Sequence, residues 1–276
     1  MTSQPTRPDR PRRAEDPLDD FEARPFAHEG QEKRVHVAGR GPAVVVMPEM
    51  PGISPEVARF ARWVRDAGFR VYLPSLFGRD GAVPTADEGR AVMKRACVSA
   101  EFRAFAGGGT SPVVDWLRAL ARLAQSECGG DVGVVGMCFT GNFALMMTLE
   151  PAVTAPVVAQ PSLPLDDPAA LEMSPEDGAA VRDRLERDDL TVLGYRFAGD
   201  RWCTGQRFAA YQALLGDRFD GRVLPDDAAN PAPSPFFADV VASPHSVLTA
   251  HLVDEDGHPT TRARDEVIAF LRRRLC

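Results

Sequence analysis

Short, unbroken apolar runs, separated by longer stretches of three-to-four-residue periodicity, set the strongest limit on how this chain folds. Residues 43–48 (AVVVMP) and 131–136 (DVGVVG) are such runs. They are continuous rather than alternating, as in a parallel sheet whose strands are covered on both faces by crossover helices. A doubly covered α/β fold follows. Residues 34–38, 70–73, 157–160 and 191–197 are expected as further strands, the first of them antiparallel, and residues 247–253 (VLTAHLV) as the last strand. Between them, Ser54 and Pro55 read as the N-cap and first turn of a helix that Gly68 stops. Pro112 opens another, with Val113, Val114, Leu117, Leu120, Ala121 and Ala124 on one face. Residues 205–215 and 261–275 are amphipathic, the latter ending in Arg272, Arg273 and Arg274, whose charge complements the helix dipole.

The first 27 residues are rich in Arg, Pro and Asp and are expected as a disordered tail. They lack the apolar core of a signal peptide, and their acids are foreign to a transit peptide. Nothing divides the remainder, so residues 28–276 read as one α/β domain with two irregular insertions near 161–190 and 217–246. The first insertion carries a helix near residues 175–185, and both leave strands at the edge where a site would lie, as a lid would. Hydrophobic residues at 44% can build a sizeable core, and the formal charge of −7 argues against nucleic acid or anionic lipid as partners. No run approaches the ~20 apolar residues of a membrane span. Cys97, Cys128, Cys138, Cys203 and Cys276 are odd in number and lack paired metal-ligand spacing. They read as reduced thiols of a cytoplasmic protein without a metal or other cofactor.

The segment Gly136-Met137-Cys138-Phe139-Thr140-Gly141, between an expected strand and an expected helix, has the form of a nucleophile elbow with cysteine as nucleophile. A sharp strand-to-helix turn would lift Cys138 to a helix N-terminus, where the dipole and free N–H groups favour a thiolate. Thr140 stands where glycine is usual in such a turn. A nucleophilic thiol needs a base and an acid that orients it, in the order nucleophile, acid, histidine on this kind of scaffold. Asp200, after the run 191–197, and His258, before the last helix, fit that order. His245, in a Pro-flanked loop, and His251, inside the expected last strand, are rivals; the first reads as exposed and the second as packed.

Taken together, the segments Val44-Val45-Val46-Met47-Pro48-Glu49-Met50-Pro51-Gly52 and Tyr72-Leu73-Pro74-Ser75-Leu76-Phe77-Gly78-Arg79, the cysteine elbow, Asp200 and the Gly257-His258 pair resemble the dienelactone hydrolases of the α/β-hydrolase superfamily. The resemblance implies an α/β-hydrolase fold, and a hydrolase that opens a lactone or a small, anionic ester through a cysteine acyl-enzyme. It implies that Glu49 accepts a hydrogen bond from the resting thiol of Cys138 and takes its proton when substrate binds, and that the backbone N–H groups of Met50 and Phe139 form the oxyanion hole. It also implies arginines for a substrate carboxylate, one of them four residues after the catalytic histidine, which points to Arg262. A second would come from Arg95 or Arg103. Two other readings compete. A flavodoxin-like Cys/Glu enzyme would leave Asp200 and His258 without a role, and a non-enzymatic scaffold for binding or redox sensing would draw on Thr140 and the insertions.

Overall fold

The computed structural model describes residues 14–98 and 111–276. Eight strands form one sheet: β1 (Glu22–His28), β2 (Gln31–Ala38), β3 (Ala43–Val46), β4 (Arg70–Pro74), β5 (Val132–Met137), β6 (Val153–Ala159), β7 (Val192–Phe197) and β8 (Phe219–Leu224). Their order is β1-β2-β4-β3-β5-β6-β7-β8. The pairs β1/β2 and β2/β4 are antiparallel, and every later pairing is parallel. This is the mostly parallel, doubly covered sheet of an α/β-hydrolase.

The helices are α1 (Pro55–Asp66), α2 (Ala86–Val98), α3 (Pro112–Cys128), α4 (Phe139–Met146), α5 (Pro175–Arg187), α6 (Gly205–Leu215) and α7 (Pro259–Leu275). Successive residues of a central strand bury on opposite faces. Val44 and Val46 of β3 thus pack with Val57, Phe60 and Val64 of α1 and Val267 and Leu271 of α7. Ala43 and Val45 pack in a second core with Leu117 and Leu120 of α3, Leu185 of α5 and Tyr211 of α6. The parallel strands are completely buried in the middle of the sheet, so their sequences show no alternation.

Three expectations are corrected here. The N-terminal segment is structured from residue 14 onward, and only residues 1–13 of the expected tail lie outside the described residues. Leu18 and Phe21 are buried, Asp16 and Asp20 pair with Arg62, and β1 runs along the sheet edge from Glu22 opposite Val37 to His28 opposite Gln31. Its Pro25 and half-exposed pattern suit an edge strand and hide it in the sequence. The stretch 247–253 is no strand; it is a series of tight turns closed by Thr249 N–H and His251 N–H on the Ser246 carbonyl. It is apolar because it is buried, not because it is extended. The last strand is instead β8, inside the stretch expected as the second insertion. Its FDGRVL sequence is polar in the middle because three residues of this edge strand are exposed.

Candidate active site

The parallel strands β3, β5, β6, β7 and β8 lead at their C-terminal ends to five segments of the site. At the end of β5, Cys138 stands at φ 58° and ψ −122°, a left-handed backbone that a side chain adopts only when its surroundings impose it. The imposing contacts are local. A Cβ on Gly136 would lie 2.0 Å from the carbonyl oxygen of Thr140, so the strand and the first turn of α4 approach as closely as they do only with glycine there. Thr140 braces the turn from within. Its hydroxyl accepts from Met137 N–H at 2.8 Å and lies 2.9 Å from the Met137 carbonyl and 3.2 Å from the Pro48 carbonyl beyond β3. The departure from glycine is therefore a built part of the elbow. Cys138 N–H donates to the Ala159 carbonyl of β6, and the thiol, 8% exposed, lies 3.1 Å from the Oγ of Ser162.

Asp200 follows β7 and is buried. Its Oδ1 accepts from the N–H groups of Trp202 and Cys203, which fixes the carboxylate, and its Oδ2 lies 2.7 Å from His245 Nδ1. His245 is itself buried, and its Nε2 has no hydrogen-bond partner among the described residues. Burial alone would lower the imidazole's pKa. The Asp200 carboxylate and the Cys138 thiol outweigh it and hold His245 well above the ordinary histidine value. Cys138, His245 and Asp200 thus form one buried constellation, with the cysteine near enough to the ring to raise its basicity.

The pairing of Asp200 with His245 corrects the expectation for His258. That residue is the N-cap of α7: its Nδ1 accepts from Thr260 N–H and lies 2.9 Å from the Thr260 hydroxyl. The apolar run 247–253, read as a strand, favours the histidine that follows it over the one that precedes it. The usable signal was β8, since His245 is the first histidine after that strand. Arg262, chosen by its spacing from His258, is exposed on α7, and the residue four after His245 is the buried Thr249. Arg103 lies outside the described residues.

Glu49 follows β3 and is 1% exposed. Its carboxylate accepts from the hydroxyls of Ser246, at 2.6 Å, and of Thr249, and from Gln160 Nε2 at 3.4 Å. The thiol of Cys138 is not among these donors, and Ser162, unforeseen from sequence, holds it instead. Burial pushes the Glu49 carboxyl up to about 7 against the pull of the two hydroxyls and His245. Met50 follows directly, and Phe139 opens α4, so that its N–H precedes the first intrahelical bond. Beside Pro51 and Gly52, a cavity of about 580 Å³ is lined further by Arg79, Glu88 and Arg95. Arg79 is paired with Glu15 there. The expected lid divides in two. Ser162 of the first insertion touches the thiol, and the second stretch carries β8, a π-helical turn at Phe237–Val241 and His245.

Among the described residues no group of three or more His, Cys, Asp or Glu side chains is disposed to hold a metal ion, and no helix is long and apolar enough to cross a membrane.

The model of the dienelactone hydrolase family matches residues 31–176. A carboxymethylenebutenolidase of Pseudomonas sp. (strain P51) is 31% identical over 123 residues, which cover 44% of this chain and half of that protein's length. A dienelactone hydrolase-like promiscuous phosphotriesterase from metagenomic libraries superposes with a TM-score of 0.60 at 17% identity, over 93% of this chain and all of that one. The dienelactone hydrolase from Anabaena variabilis gives 0.57 at 14% identity, over 93% of this chain and 98% of that one. These likenesses establish the fold. The family match ends before Asp200 and His245, whose meeting is a matter of geometry alone.

Proposed function

The chain belongs to the dienelactone hydrolase family, and from that premise we propose that it hydrolyses a lactone or small ester through an acyl-thioester on Cys138, with His245 as base and Asp200 as its orienting acid. The observation that carries this reading is the buried His245, bonded through Nδ1 to Asp200 and open at Nε2, beside a cysteine on a strained elbow.

In this reading the thiol leaves Ser162 for His245 Nε2, which takes its proton; the raised basicity of the imidazole favours that transfer. The thiolate attacks the carbonyl carbon, and the N–H groups of Met50 and Phe139 receive the oxyanion. The imidazolium returns the proton to the departing alkoxide as the carbon–oxygen bond breaks. Water then gives a proton to Nε2 and adds to the thioester, and the intermediate expels the thiolate, which regains its proton. Glu49 is the auxiliary carboxylate, placed against the segment that bears His245. The cavity beside Pro51 would receive the substrate, with Arg95 the described arginine suited to an anionic group.

A panel of activated esters and lactones, each with a carboxylate-bearing and a neutral version, tests this reading. Cys138→Ala is expected to abolish turnover, a loss on the order of 10⁴-fold or more, together with thiol labelling at that position. Unchanged hydrolysis in that variant would overturn the assignment. Arg95→Ala is expected to raise KM about tenfold for the carboxylate-bearing members only.

A further inference from the structure

His245 sits on a turn that has no regular backbone pairing to hold it. The N–H groups of His245 and Ser246 both point to His251 Nδ1, at 3.4 and 3.1 Å, and His251 N–H returns to the Ser246 carbonyl at 3.0 Å. This closes residues 245–251 into a knot, whose far end Asn230 holds by donating its N–H to the His251 carbonyl at 2.8 Å and its Nδ2 to the Ala250 carbonyl at 3.1 Å. Besides the bond of His245 itself to Asp200, the knot's polar ties to the strand ends converge on one side chain. Ser246 and Thr249, on either side of the knot, each donate a hydroxyl to Glu49 at the end of β3. Gln160, beyond β6, joins the same group: its Nε2 faces Glu49 Oε2 at 3.4 Å and its Oε1 accepts from Val247 N–H at 3.3 Å. Glu49, Gln160, Ser246 and Thr249 are all buried, so each bond acts without competition from water. Glu49 also precedes Met50, so one carboxylate links the backbone offered as an oxyanion donor to the turn that bears the base.

We propose that Glu49 is a positioning residue, whose hydroxyl bonds to Ser246 and Thr249 set His245 against Cys138, rather than a group that receives the thiol's proton. The inference rests on the reading of Cys138 as nucleophile and His245 as base. It assigns the carboxylate a different task from the one implied by the family resemblance. Both carboxylate oxygens are already occupied by the histidine turn, and the thiol's hydrogen bond is to Ser162.

The test compares Glu49→Gln with the double variant S246A/T249V, which keeps the carboxylate and removes its two hydroxyl donors. Three readouts are taken on full-length protein: turnover of an activated ester, the pH profile of Cys138 alkylation by iodoacetamide, and the low-field proton resonance of the His245 ring N–H bonded to Asp200. That resonance is assigned by its loss in His245→Gln. Both variants are expected to lose about 10- to 100-fold in kcat, as a displaced catalytic group does, to broaden the resonance, and to move the alkylation midpoint alike, since both displace the same imidazole from the thiol. Thr249→Ser, which restores the hydroxyl, is expected to stay near wild type in all three.

A shifted alkylation midpoint in Glu49→Gln with full turnover in the double variant would overturn the proposal and assign Glu49 to the thiol. An unchanged resonance in both variants would overturn it as well. Should the wild type show no Cys138-dependent turnover, the hydrolase reading falls. The resonance still decides whether Glu49 holds the histidine.

Discussion

The elbow around Cys138 and the turn around His245 are both buried, both lie beyond the C-terminal ends of strands, and each carries one half of the proposed proton transfer. They are held by opposite means. The bend of the elbow is shaped chiefly within its own six residues, although neighbouring strand ends also bond to it: Gly136 admits the close approach of the Thr140 carbonyl, and the Thr140 hydroxyl closes back on Met137. The histidine turn is held by residues remote in sequence, 197 and 200 positions away at Glu49, 87 away at Gln160, 45 away at Asp200 and 20 away at Asn230. A turn held by local sterics leaves a spaced pattern in the sequence. A turn held by a remote polar network leaves none, because any buried hydroxyl near any carboxylate serves the chemistry equally well.

The sharpest way to break this comparison is to exchange the two histidines in experiment. His245→Gln is expected to lower kcat/KM on the order of 10³- to 10⁴-fold, since the residual rate of a triad missing its base comes from the oxyanion hole and binding alone. His258→Gln is expected to leave kcat/KM within about twofold and to cost about 1 kcal/mol of stability through the weakened cap of α7. Steady-state kinetics on one activated ester, with a denaturant melt of each variant, reads both. A large loss in His258→Gln with none in His245→Gln would restore the histidine that the sequence spacing favours.

That misplacement shows where sequence reading succeeds. The central strands, α1, α3 and the elbow were legible because burial on both faces, proline and cap placement, and steric crowding all act within a few residues. The elements that escaped are those whose sequence is set by distant partners. β1 reads as a polar tail because it is an edge strand with Pro25 in it, and β8 reads as a loop because its middle faces solvent. The stretch 247–253 reads as a strand because its burial is continuous, although its backbone bonds are turns. With β8 read as a loop and 247–253 as a strand, sequence spacing favours His258 over His245, and with His258 it favours Arg262.

An intermediate effect is expected at Thr140. Thr140→Val keeps the shape of the side chain but leaves Met137 N–H buried without its acceptor, a loss of about 1–3 kcal/mol. Because the same hydroxyl approaches the Pro48 carbonyl, activity should fall with stability, by about tenfold. A denaturant midpoint and kcat measured on the same preparation check both. A variant as stable and active as the parent would mean that Gly136 and Gly141 suffice, and that the elbow is even more self-contained than the comparison holds.

The effect with the least bearing on turnover belongs to the knot that closes the histidine turn. His251 accepts from two backbone N–H groups through Nδ1, which requires a neutral ring, and burial, with the charge of His245 adding to it, pushes its pKa down to about 3. The unfolded chain binds a proton at this residue below about 6.5, whereas the folded chain refuses it until about 3. Its contribution to stability is therefore complete above 6.5 and declines as pH falls toward 3, by up to about 1.4 kcal/mol per pH unit. Glu49, raised to about 7, acts in the opposite sense between about 4.5 and 7, since there the folded state holds a proton that the unfolded carboxyl has lost. The two slopes oppose each other over their shared range, so the wild type should show a shallow stability profile from pH 6.5 to 4.5 and a steeper decline below it. His251→Gln keeps an acceptor in the knot without a titrating ring. In that variant the opposing slope of Glu49 stands alone, and unfolding free energy should rise as pH is lowered from 7 to 4.5. A variant whose profile still matches the wild type would mean that His251 does not stay neutral, and that the turn bearing His245 is closed by something other than the lone pair of His251.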